Sequence, residues 1–308
     1  MIQDDTTKRT SVTLRTAGCA HRLEGEISQF AEDIAPALLI CPGFPDSGLS
    51  GCYDSLLRMG ISSGWACFMH ELPGCCPSRR GEDFRSYGEC VDEVRDTIGT
   101  VSNALFNFDG KSYRSSTVTL VGDGFAARLI IEVLEQYDMR VDHVILINPL
   151  LGEAQEQFSD VIGKMGVNLR IAARCGRVPV DYGNSRLFFS DDCIAGLDSS
   201  DPMKFFGLIN MPVTVFTRPD LDAHAKELMS ANRDHVTAYR LPGSEAIEGA
   251  LPGAWDNLAD IVSGIAAGEL SPRIQAIGSE EEVPSQAGEK EAELSYEEQE
   301  KKDGGISL

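Results

Sequence analysis

The chain has 308 residues, 42% of them apolar and 24% charged, the balance of an ordinary globular protein able to bury a substantial core. Its formal charge of −21 sets it against nucleic acid and anionic membrane surfaces. No run approaches the roughly 18–20 apolar residues of a membrane span, and the opening MIQDDTTKRTSV lacks the apolar centre of an export signal.

The nine cysteines (19, 41, 52, 67, 75, 76, 90, 175 and 193) form no disulfide framework, and their number is odd. The expectation is a cytoplasmic protein whose thiols stay reduced. Neither a C-x-x-C spacing nor a histidine pair accompanies Cys75-Cys76, so these read as small loop residues and no metal is expected.

In chain order, SVTLRTAG and HRLEGEISQ read as two opening strands that form a hairpin. ALLICPG is a short, continuously apolar strand, the pattern of a buried central position, and WACFMHELPG is the next strand. After Ser86 the spacing predicts a helix with Val91, Val94, Ile98, Val101 and Leu105 on one face. Strand STVTLVG, helix FAARLIIEVLEQYD and strand VDHVILINPLLG follow. Late in the chain come strand PVTVFTRPD, helix AHAKELMSANR, strand HVTAYRLPG and a last helix carrying Trp255, Leu258, Val262 and Ile265. Seven or eight strands alternating with helices imply an α/β fold, a mostly parallel sheet covered by helices on both faces.

The alternation breaks down between Gly152 and Gly207, which predicts an insertion built of short helical pieces. An insertion there lies above the strands' carboxyl ends, where open α/β sheets bind ligands, and reads as a cap. The expected organisation is a core over 1–151 and 208–268, a cap over 152–207 and a tail over 269–308. From Glu280 onward the tail carries ten acidic and three basic residues and few apolar ones, the composition of a solvated, disordered segment.

The stretch TLVGDGFAARL, Thr119 to Leu129, has the frame of a nucleophile elbow: a β-branched strand, a glycine turn and a helix with small residues. Where the nucleophile should stand there is Gly124. Three stretches, CPGFPDSG, ELPGCCPS and VGDGFAA, resemble in order the H-G-[FG], D-L-P-G-x-G-x-S and G-x-S-x-G-[GA] motifs of the α/β-hydrolase superfamily, over about Ser11 to Ile265. FAARLIIEVL, RLFFSDDCIAGLDS and MPVTVFTRPDLD leading to LPGSEAIEG are similar, within it, to the acyl-transferase (fatty acyl thioesterase) of bacterial luminescence operons. The resemblance implies the α/β-hydrolase fold, with about eight strands and a helical cap.

It also implies a site. The nucleophile slot falls on Gly124, with Gly122 and Ala126 as the small residues the crowded turn demands. The acid falls on Asp222 rather than Asp220, which Pro219 rigidifies. The histidine slot falls on Ala246, and no histidine follows His235. Oxyanion donors would come from the loop Gly43, Phe44 and Pro45 and from Phe125. A register shifted by one makes Asp123 the nucleophile, as in epoxide hydrolases and haloalkane dehalogenases; Phe125 would then stand where a small residue is needed, and a histidine would still be missing. Asp123, Asp222 and Glu245 are the candidate acid–base groups. His70 reads as a strand-end residue, the other histidines as structural or solvated, and Cys41 as a small buried hydrophobe.

Three functions fit. One is a cofactor-independent, non-hydrolytic enzyme that polarises a carbonyl or enolate in the retained pocket and promotes cyclisation, isomerisation, elimination or conjugate addition. Another is a pseudoenzyme kept for binding a ligand or protein. The third is a hydrolase with a displaced nucleophile such as Cys41, Cys76 or Ser78. The expected partner is an acyl- or polyketide-like small molecule, not nucleic acid or membrane, with a homodimer allowed for.

Overall fold

A computed structural model describes residues 9–15, 22–28, 33–42, 53–70, 72, 86–103, 105–108, 111–152, 178–182, 185–189, 191–217, 222–240 and 275–276. The chain divides into a unit of Met1–Ala276 and a second of Ile277–Leu308, which lies outside the described residues, as does the expected helix around Trp255.

Strands β1 (Arg9–Arg15) and β2 (Arg22–Ser28) form the antiparallel opening hairpin, and β2 pairs antiparallel with β4 (Ala66–Met69). From β4 the sheet continues in parallel through β3 (Ile34–Cys41), β6 (Lys111–Asp123), β7 (His143–Ile147), β10 (Val213–Thr217) and β11 (Val236–Arg240). These are the eight expected strands. Two short ones extend them to a ten-stranded sheet: β5 (Leu105–Phe108), a hairpin partner of β6, and β12 (Gln275–Ala276) beside β11. Parallel pairing with both faces covered explains why ALLIC in β3 and VILI in β7 are continuous apolar runs rather than alternating ones. Leu38, Ile40, Val121, Ile145, Ile147 and Phe216 meet Tyr53, Leu56 and Ile61 in one buried cluster, so helix α1 (Asp54–Ser62) covers this part of the sheet.

Helix α2 (Tyr87–Ser102) starts at a capping box: the Glu89 N–H donates to Ser86 Oγ at 3.3 Å, and the Ser86 N–H donates to Glu89 Oε2 at 3.0 Å. Its buried stripe includes Val91, Val94, Ile98 and Val101, as expected. Leu105 leaves that stripe and opens β5, because the helix closes at Asn103 and the chain turns into the hairpin with β6. Helix α3 (Gly124–Gln136) follows β6 without an intervening loop.

Between Gly152 and Gly207 the structure departs from a set of helical pieces. Strands β8 (Val178–Tyr182) and β9 (Ser185–Phe189) form a separate two-stranded antiparallel sheet, followed by helix α4 (Asp191–Ser199) and a short 3-10 turn at Phe206–Leu208. The reason lies in the sequence VPVDY-GN-SRLFF, two runs separated by Gly-Asn, a pair that signals a hairpin. Helix α5 (Asp222–Ala231) joins β10 to β11. No helix among the described residues is long and apolar enough to cross a membrane.

Candidate active site

The chain reverses at the carboxyl end of β6. Asp123 is still extended, with φ −116° and ψ 140°, and Gly124 takes φ 51°, the left-handed region that favours glycine. Gly122 permits the helix to start there: a Cβ on it would stand 2.6 Å from Ile130 Cδ1 and 2.9 Å from Ala127 Cα. Ala126, the other small residue, is fully buried. The strand thus passes directly into the helix through a turn whose left-handed residue is Gly124. Phe125 is fully buried, with its ring 6.2 Å from that of Tyr87.

Asp123 is a buried carboxylate at the apex's edge. It gives α3 no side-chain cap; Oδ2 instead accepts the Tyr53 hydroxyl at 2.7 Å. Tyr53 is the residue before α1 and wholly buried, so this bond ties the elbow to the start of α1.

The neighbouring strand ends complete the turn. Cys41 and Leu146 flank Gly122 in the sheet, and Ile147 pairs with Asp123. Asn148, just past β7, has φ 45° and donates its backbone N–H to Phe216 O at 2.8 Å. The chain then returns so that the Leu150 N–H reaches Gly124 O at 3.3 Å. That bond fixes the plane of the 124–125 peptide, whose N–H belongs to Phe125 and points opposite to the carbonyl. The N-terminus of α3 carries partial positive charge, and no acidic side chain lies in its first turn. Such a turn can accommodate developing negative charge on a carbonyl oxygen.

The histidines divide by sheet end. His143 opens β7 and His235 precedes β11, both at the amino end, away from Gly124. His143 Nε2 lies 3.0 Å from Thr214 Oγ1, and burial holds its pKa below the ordinary value. His70 follows β4 at the carboxyl end, buried against α2. Thr97 Oγ1 donates to Glu93 O at 2.8 Å and lies 3.2 Å from His70 Nδ1; Nε2 faces Glu93 Oε1 at 4.0 Å. His224 lies in the first turn of α5, which Asp222 opens on the carboxyl side of β10. Cys41 is fully buried, and this burial pushes its thiol up to about 12. Gly43, Phe44, Pro45, Cys76, Ser78, Asp220, Glu245, Ala246 and His21 lie outside the described residues. Among the described residues no group of three or more His, Cys, Asp or Glu side chains could hold a metal ion.

Sequence reasoning missed Tyr53, Asn148 and Arg128. Asn148-Pro149 after an apolar strand is a turn signal, since asparagine tolerates left-handed backbone. Arg128 is the one cation in the mostly apolar run FAARLIIEVL, whose other charge is Glu132, and is only 1% exposed. Nothing local in the sequence marks Tyr53 as a partner of a residue 70 positions away.

No protein-family model matches the sequence, and no curated protein matches it. Solved structures do. DcsB, determined with a substrate analogue, superposes with a TM-score of 0.62 at 13% identity over 85% of this chain and 99% of that one. The alpha/beta hydrolase GrgF from Penicillium sp. sh18 gives 0.56 at 13% identity over 82% and 97%. The thioesterase domain from the curacin biosynthetic pathway gives 0.50 at 12% identity over 85% and 100%. At these identities the likeness concerns architecture alone, and together with the strand order it shows that the chain has the α/β-hydrolase fold.

Proposed function

We propose that the chain is an enzyme that binds an acyl- or polyketide-like small molecule beside Gly124 and transforms it without a covalent acyl intermediate. One observation carries this reading: residue 124 keeps the left-handed backbone of a nucleophile apex, φ 51°, but has no side chain to attack with. The helix N-terminus survives the loss of the nucleophile, because its donors are backbone groups. A carbonyl held against the Phe125 peptide is polarised, and charge developing on its oxygen is stabilised; one such donor is worth roughly 2.7–4 kcal/mol at a transition state. Cyclisation, isomerisation, elimination and carbon–carbon addition all use such a polarised carbonyl or enolate. They need only proton transfers besides, for which Asp123, Asp222 and Glu245 are the assigned candidates, and they call for no cofactor. The curacin neighbour is by its description a biosynthetic thioesterase domain, which agrees with an acyl-type ligand.

The test is reactivity toward esters. Negligible turnover of p-nitrophenyl esters and no labelling by a fluorophosphonate are expected. Saturable hydrolysis with a covalent adduct on the protein would overturn the reading in favour of a displaced nucleophile. Binding without turnover is the second reading, favoured by the engagement of the Asp123 carboxylate with Tyr53. A ligand that stabilises the protein yet is recovered unchanged would select it.

A further inference from the structure

Arg128 is a buried cation held by no carboxylate among its described hydrogen bonds. All five of its N–H donors have acceptors. Nε donates to the Tyr87 hydroxyl at 3.3 Å, and Nη1 donates to Leu151 O at 2.8 Å and Gly152 O at 2.7 Å. Nη2 donates to Leu197 O at 2.9 Å and to Ser200, at 2.6 Å to Oγ and 3.1 Å to O. The Tyr87 hydroxyl donates in turn to Glu132 Oε2 at 3.3 Å, and burial pushes this phenol up to about 12, so the cation meets a neutral hydroxyl. The guanidinium also lies 5.9 Å from the Tyr87 ring centre.

The acceptors belong to separate pieces of chain. Leu151 and Gly152 are where the chain leaves the core after β7. Leu197 and Ser200 are the carboxyl end of α4, where a helix dipole favours a cation. Arg128 itself stands on α3, one turn beyond Gly124. An apolar side chain of similar volume could fill this space at comparable stability, since burying an ion is costly. It could not fix the directions of four carbonyls on two segments.

We infer that Arg128 is a positioning residue: it clasps α4 and residues 151–152 to the elbow helix, and this clasp sets where α4 stands relative to the turn at Gly124. The 151–152 segment directly follows Leu150, whose N–H reaches Gly124 O, so the clasp helps to hold the 124–125 peptide in its plane. The inference serves the site proposed above, but its test needs no ligand, so either can fail without the other.

The test is native-state hydrogen exchange on the full chain, comparing wild type with Arg128→Lys and Arg128→Met. Lysine keeps the charge with three donors in place of five; methionine keeps the stem with none. The expected result is exchange faster by about tenfold or more in 191–200 and 150–152 for Arg128→Met, a smaller increase for Arg128→Lys, and unchanged protection of β3, β6 and β10. Exchange rising equally in those strands would make Arg128 a contributor to global stability only and overturn the inference, as would no change anywhere. Should Arg128→Met not fold, Ser200→Ala, which removes one acceptor, is expected to show the same local pattern with smaller amplitude. An unchanged pattern in both Ser200→Ala and Arg128→Lys would equally refute the clasp.

Discussion

Gly124 and Asn148 stand on adjacent strand ends, each one residue past the register pair Asp123–Ile147, and both have left-handed backbones, φ 51° and 45°. The pair turns two neighbouring chains together, and the Leu150 N–H bond to Gly124 O is the result. Left-handed backbone costs an ordinary L-residue about 1–2 kcal/mol, more for a β-branched one. Asn148→Val should therefore destabilise the protein by about that amount and by more than Asn148→Gly does. Urea denaturation of the two variants checks the order; equal midpoints would show that the turn at 148 carries no strain.

Gly122 gives the elbow its closeness. With a Cβ 2.9 Å from Ala127 Cα, backbone would have to move, not only a side chain. Gly122→Ala should cost about 1–3 kcal/mol, the usual range for overpacking. An unchanged denaturation midpoint would mean that α3 can shift freely away from β6.

The Tyr53–Asp123 bond joins a neutral donor to a buried carboxylate, a kind worth about 1.5–3 kcal/mol. Tyr53→Phe should lose about that much at pH 7. A double-mutant cycle with Asp123→Ala should find much of the loss shared, since both variants remove the same bond. Additive losses would place the Tyr53 contribution elsewhere.

Glu135, on α3, has its carboxyl pushed up from 4.5 to about 8, first by burial, with neighbouring Glu132 and Asp201 adding to it and the Phe205 N–H opposing. The folded protein thus binds the proton more tightly than the unfolded chain. The stability that the neutral carboxyl confers is complete below about pH 4.5 and is lost as pH rises toward 8. Glu135→Gln should raise the melting temperature relative to wild type at pH 8 and leave it nearly equal at pH 4.5. A variant no more stable than wild type at pH 8 would contradict this.

Much of this architecture is legible from local pattern. ALLIC and VILI are apolar without alternation because parallel strands are covered on both faces, and Ser86-x-x-Glu89 announces the start of α2. The tight turn from β6 into α3 was legible in Gly122, where a Cβ would meet Ala127. The β8–β9 hairpin was missed because its weak β-prone runs lie among turn residues, with only Gly183-Asn184 to signal the reversal. Leu105 fits the helical spacing of α2, but the tertiary pairing of β5 with β6 overrides it. Tyr53 and Arg128 act through partners far away in sequence, Asp123 and Leu197 among them, and such distances carry no local periodicity.

The central claim is that the chain binds a small molecule beside Gly124 without using a nucleophile there. Its most direct test is thermal stabilisation by a panel of acyl thioesters and polyketide aromatics, run on wild type, Gly124→Ala and Gly124→Leu, with circular dichroism to establish folding. Alanine carries the same backbone strain as leucine but little bulk, so it separates strain from blockage. A ligand at 100 times its dissociation constant should add about 2.7 kcal/mol to wild type. The expected result is a ligand that stabilises wild type and Gly124→Ala but not folded Gly124→Leu. Equal stabilisation of folded Gly124→Leu would place the binding site elsewhere and contradict the claim.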